Sequence, residues 1–83
     1  GRVGPMERVR TTITLEDGRT FEPLVWCDPA RHGLWFVEVG ALARDGDHPE
    51  VGPFANEADA RGYLLARVER EQGRVREVLR LAS

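Results

Sequence analysis

The sequence predicts an α+β domain: a small antiparallel sheet of three to four strands with one face packed by a single amphipathic helix, in the order β-β-β-α with a further strand expected at the C-terminus. Three observations point to it. Residues 9–15 alternate in character, with Val9, Thr11, Ile13 and Leu15 on one side and Arg10, Thr12 and Thr14 on the other, which is the period-two pattern of a half-buried strand. Glu16-Asp17-Gly18 follows and suits a three-residue hairpin loop, a type I turn leading into a left-handed glycine. The stretch VGPFANEADARGYLLARVEREQ, residues 51–72, then places Leu64, Leu65 and Val68 at helical spacing. Such a helix cannot bury its apolar stripe alone, so a sheet made from the first forty residues must cover it.

Taken in order, Gly1–Pro5 precede Met6 and read as an expression remnant ahead of the natural start, leaving residues 6–83 as one domain. The hairpin register follows from the loop. If Leu15 faces Arg19, then Ile13 faces Phe21, Thr11 faces Pro23 and Val9 faces Val25, which gathers the apolar residues of both strands on one face. A two-residue loop would instead oppose Ile13 to Glu22. Pro23 cannot donate to a ladder, so a bulge or break is expected there. The other face then carries Arg10, Thr12, Thr14, Thr20, Glu22, Leu24 and Trp26.

Asp28-Pro29-Ala30-Arg31-His32-Gly33 is a turn-rich connection. In the third strand, Leu34–Val39, Trp35, Val37 and Val39 face one way and Leu34, Phe36 and Glu38 the other, so Phe36 should lie beside Leu24 and Trp26, away from the helix. Gly40–Glu50 is expected to be a loop, or a hairpin around Asp45-Gly46, with a short extended piece at Val51. Gly52 and Pro53 stop what precedes the helix, Asn56 can cap it and Asp59 completes a capping-box-like pair. Glu57, Arg67, Arg70 and Glu71 should point away from the core. Gly73 suits a helix end. Arg74–Leu81 fits a strand with Val75, Glu77, Leu79 and Leu81 on one side. It also fits continued helix, through Val75, Val78 and Leu79; the strand is favoured because a helix reaching Leu81 would overhang the sheet.

Composition limits the function classes. Eighty-three residues leave no room for a second domain. The hydrophobic share of 41% with 31% charged residues is globular and too apolar for a disordered chain. All twelve basic residues are arginine. The single cysteine, Cys27, excludes an internal disulfide and suits a reducing, cytoplasmic setting. No apolar run approaches the roughly 18 residues of a spanning helix, so no membrane partner is expected.

Asp45, Asp47, His48 and Glu50, with Asp28 and His32 within possible reach, crowd metal-type ligands into neighbouring loops, but their spacing matches neither a calcium loop nor a zinc motif, and a solvated turn is the better reading. Cys27 with His32 or His48 lacks a third group and an oxyanion hole. The glycines form no phosphate loop. No enzyme activity, cofactor, metal or small-molecule substrate is therefore expected.

Residues 61–83 carry six Arg against three Glu, a balance of +3, while the first sixty carry six Arg and eleven acids, a balance of −5. Arg67, Arg70, Arg74 and Arg76 could follow phosphates, which gives nucleic-acid binding as an alternative function. The interleaved glutamates and the net charge of −2 favour instead a solvated face with ion pairs such as Glu57/Arg61 and Glu77/Arg80. Leu24, Trp26 and Phe36, on the sheet face opposite the helix, weigh most, because large apolar residues on an open face mark a partner surface. The expected function is a small protein–protein interaction module, homodimeric or docking on another protein. Cover by the N-terminal arm or the Gly40–Glu50 loop is the competing reading of that patch.

VGPFANEADARGYLLARVEREQGRVREVLRL, residues 51–81, resembles the second half of a SPOR domain, the peptidoglycan-binding module, in which a strand ending in VGPF runs into a capped helix with a final strand behind it. The resemblance implies glycan binding as a further alternative. The family has a strand and helix first where this chain has a hairpin, so the resemblance assigns no site residues.

Overall fold

The Glu16-Asp17-Gly18 loop sets the register from which the sheet grows. The computed structural model describes residues 7–43, 46 and 48–82. Gly18 takes a φ of 94°, open to glycine, and the Leu15 amide donates to the Arg19 carbonyl at 2.8 Å. Strand β1 (Glu7–Leu15) thereby pairs with β2 (Thr20–Phe21) and β3 (Leu24–Asp28), Ile13 opposite Phe21 and Val9 opposite Val25. The expected hairpin register holds. Pro23 splits what would be one long strand into β2 and β3, and the Thr11 amide still donates to the Pro23 carbonyl at 3.1 Å, so the break does not shift the pairing.

Strand β4 (Leu34–Glu38) pairs with β3, Trp26 opposite Phe36, and β5 (Glu50–Phe54) pairs with β4. After the helix α1 (Glu57–Glu71), strand β6 (Val75–Ala82) runs along β1 from Val9 to Leu15. Because β6 spans that whole length, β2 and β3 share the opposite edge of β1. The lanes thus run β6, β1, β2/β3, β4, β5, all antiparallel. The expectation of three to four strands is corrected to five lanes. The segment around Val51, expected as a short lead-in, is a full edge strand. Gly52 and Pro53 hide it from pattern reading, since neither is a usual ladder residue, but an edge strand with a register shift accommodates both. A strand, a capped helix and a final strand follow one another over residues 50–82, as the SPOR resemblance implies; the three lanes β1, β2/β3 and β4 precede them.

The helix begins at Asn56, whose side chain accepts from the Asp59 amide at 2.8 Å. At the other end Arg19 donates to the Gln72 carbonyl at 2.6 Å, placing a cation at the helix C-terminus where the dipole favours it. The core joins Val9, Ile13, Leu15, Val25, Val37, Val39 and Leu42 to Ala60, Leu64 and Val68 of the helix. Arg67, expected to point away, is instead on this buried side. Arg76 forms a bulge: Thr14 opposes Glu77 while Leu15 opposes Val75, so Val75 packs on the core and Glu77, Leu79 and Leu81 do not share its side. Arg80 pairs with Glu57 rather than Glu77, since residues three apart on a strand face opposite ways. The expected Glu57–Arg61 pair is present. Arg80's hydrogen bond first, and then the charges of Arg61 and Arg80, hold the Glu57 carboxyl below its ordinary range.

Thr11 is fully buried on the core side, opposite Pro23, and its hydroxyl has no hydrogen-bond partner among the described residues. Burying an unmade hydrogen bond costs free energy that a methyl group of the same shape would not. Thr11→Val is therefore expected to raise stability by about 1 kcal/mol, seen as a higher urea midpoint at unchanged slope. A lower midpoint would show that the hydroxyl is satisfied.

Candidate interaction face

The helix covers one side of the sheet, and the strand alternation that fills the core sends every second residue to the other. From β3 this delivers Leu24 and Trp26, from β4 Phe36 and Glu38, from β1 Arg8, Arg10 and Thr12, and from β6 Leu79 and Leu81. The expected grouping of Leu24, Trp26 and Phe36 is present. The rings of Trp26 and Phe36 stand with centroids 5.3 Å apart at 33°, in the range of a tilted aromatic pair.

The three residues differ in access. Phe36 is only 5% exposed, whereas Leu24 and Trp26 are half-buried. The cover over Phe36 comes from a residue that sequence reasoning passed over. Asp28 caps the 3-10 turn Pro29–Arg31 by accepting from the Ala30 amide at 2.9 Å, and the turn lays Arg31 back over the sheet. The Arg31 guanidinium lies 3.8 Å from the Phe36 centroid and 4.9 Å from that of Trp26. It is fixed in plane by two bonds to Glu50, at 2.7 and 3.1 Å, and by one from Nε to Asp28 at 2.9 Å. The hydrogen bond from Arg31 holds the Glu50 carboxyl below its ordinary value, and the same two carboxylates hold Arg31 firmly protonated. Asp28 and Arg31 share the β3–β4 turn, but only the approach of that turn to β5 brings Glu50 to Arg31, which no local spacing announces.

Of the metal-type candidates, Asp28 and Glu50 do meet, but across Arg31, which occupies their oxygens. His32 and His48 are exposed, and Asp45 and Asp47 lie outside the described residues, as does any hairpin around Asp45-Gly46. Cys27 donates to the Gly33 carbonyl at 3.2 Å. Burial, then the charges of Glu7 and Asp28, push its thiol up, away from the thiolate a nucleophile needs.

Two segments compete as cover for the patch, the Gly40–Glu50 loop and the N-terminal arm. The turn Gly40–Leu42 seats Leu42 in the core on the helix side, so that part of the loop does not lie over Trp26. The N-terminal arm before Glu7 lies outside the described residues. Beside Trp26 an open depression of about 280 Å³ is lined by Arg8, Leu24, Trp26 and Glu38. Further along, Leu79 and Leu81 are 49% and 53% exposed. Their spacing told that they share a face, but only the pairing of β6 with β1 tells which face it is.

The arginines grouped as a phosphate-binding alternative are not brought together as a set. Arg70, Arg74 and Arg76 are exposed. Arg67 is buried, its guanidinium donating to the Leu42 carbonyl at 3.1 Å, to the Tyr63 hydroxyl at 3.1 Å and to Glu71 at 3.2 Å. A side chain so engaged cannot reach a phosphate backbone without unfolding its surroundings.

No described helix is long and apolar enough to cross a membrane. Comparison with protein-family models, curated proteins and solved structures found no match to this chain.

Proposed function

We propose that this domain is a non-catalytic protein-interaction module whose contact surface is the sheet face opposite the helix. The observation that carries the reading is the set of apolar side chains on that face, Leu24 and Trp26 on β3 with Leu79 and Leu81 on β6, on either side of β1 and partly or largely exposed. A monomeric domain gains nothing from holding such residues in water, whereas a partner that covers them removes apolar area from solvent. Phe36 contributes from beneath, by supporting the Trp26 ring while Arg31 holds both in place. Rigid aromatic side chains held by packing are the usual anchors of interfaces.

The test is a chain carrying both Trp26→Ala and Leu81→Ser. Its association with a protein partner, measured by calorimetry or surface binding, is expected to weaken by about 30-fold or more, roughly 2 kcal/mol for loss of an anchor, with cooperative unfolding retained. Unchanged affinity in a folded double variant would remove this face from the interaction. Association should also persist as salt rises, unlike binding to a phosphate backbone.

A further inference from the structure

In two rows of the open face the strand residues change charge sign across β3. One row of the sheet, from β6 to β5, runs Leu81, Arg10, Leu24, Glu38, Glu50, and the next sets Arg8, Trp26 and Phe36 side by side. The basic residues of these rows stand on β1, the acidic ones on β4 and β5, and the apolar pair Leu24 and Trp26 stands between them. Arg10 and Glu38 are both exposed. They flank Leu24 about 10 Å apart, two strand spacings.

A surface with opposite charges on either side of an apolar lane is complementary to itself turned over. A two-fold axis parallel to β3 lays Leu24 and Trp26 against their own copies and carries β1 of each protomer over β4 of the other. Arg10 then meets Glu38. Arg8 comes over the cluster of Arg31, Glu50 and Asp28, one cation and two carboxylates with a formal balance of −1. Leu81 comes over β5 of the other copy beside Glu50, so the apolar contact itself is made by Leu24 and Trp26. Two sheets packed face to face stand about 10 Å apart with strands aligned to within about 30°, a gap that an arginine and a glutamate reaching from opposite sides can span.

We propose that the occupant of the open face is a second copy of this chain, packed sheet on sheet about an axis along β3, with Arg10 of each protomer paired with Glu38 of the other. This rests on the interaction face argued above and adds the partner and its orientation. Isologous contacts of this kind place each pair twice in the interface, so reversing one charge creates two repulsions.

The experiment is the solution mass, by light scattering across a concentration series, of the wild-type chain, of Arg10→Glu, of Glu38→Arg and of an equimolar mixture of the two variants. The wild type is expected to dimerise and each variant alone to dissociate at least about tenfold more readily. The mixture is expected to recover a dimer, because every reversed charge then meets its opposite. Both positions are solvent-exposed, and circular dichroism checks that each variant folds. A wild-type monomer at every concentration overturns the proposal. So does a dimer indifferent to both reversals, as pairing through the free edge of β6 would give, or a mixture that stays dissociated. A monomer whose binding to a different protein is lost in Trp26→Ala with Leu81→Ser would sink the second copy while leaving the interaction face standing; a dimer that survives that double substitution would sink both.

Discussion

Gly52→Ala is expected to cost the domain about 3 kcal/mol, from overpacking of about 1–3 kcal/mol and left-handed backbone strain of about 1–2 kcal/mol. Gly52 sits in β5 at a φ of 151°, where side chains are rarely carried. A Cβ built there would lie 2.7 Å from Cδ1 of Phe36 and 2.9 Å from the carbonyl oxygen of Trp35. Neither neighbour can yield cheaply. The Phe36 ring is held by Trp26 and by the Arg31 guanidinium, and the Trp35 oxygen is main chain of the adjoining strand, so relief means separating β4 from β5. Glu50 belongs to the same strand and holds Arg31, so the open face should loosen together with the edge. Thermal unfolding of a domain this small should shift downward by more than about 10 °C, at roughly 4–8 °C per kcal/mol. A shift of only a degree or two would mean that β5 does not lie in this register.

Arg67→Ala should be about as damaging, for the opposite reason: it removes atoms instead of adding them. Arg67 is 5% exposed, and its Nη2, Nη1 and Nε donate respectively to Leu42, Tyr63 and Glu71. Truncation withdraws those donors from a buried carbonyl and from a carboxylate whose side chain is 12% exposed. Breaking a buried ion pair from one side costs about 3–5 kcal/mol, and the lower end applies because Glu71 retains some solvent. A chain with Arg67→Met and Glu71→Leu together should recover part of the loss, since no buried charge is then left unpaired while the Leu42 carbonyl still lacks its donor. Urea denaturation of the single and double variants measures this directly. An Arg67→Ala midpoint within about 0.5 kcal/mol of the wild type, the scale of an ordinary surface change, would show that the guanidinium is not buried as described.

What the sequence discloses about this fold is the part decided by neighbours along the chain. The three-residue loop at Glu16-Asp17-Gly18 determines which residue opposes which, and from that alone the pairing of Ile13 with Phe21 and of Val9 with Val25 follows. The Asn56 cap and the stripe through Leu64 and Val68 are equally local. So is the grouping of Leu24, Trp26 and Phe36, which needs only strand alternation and one correct register. The rest depends on contacts between distant segments. An arginine is expected in water, and nothing near Arg67 reveals that the Leu42 carbonyl, 25 residues earlier, needs its donor. The bulge at Arg76 exists only relative to β1. Arg31 becomes part of the open face because Glu50, 19 residues later, lies within its reach.

The ladder between β1 and β6 joins the first described strand to the last, with Val9 opposite Ala82. As the chain leaves the ribosome, β1, β2/β3, β4 and β5 can assemble as a local meander, but the far edge of β1 has no strand to pair with until residues near Ala82 have emerged. Contacts of such long sequence separation close slowly, and an unpaired strand edge is an invitation to pair with the wrong chain. The Val9-to-Leu15 edge is therefore the part of the nascent protein most in need of shelter during synthesis.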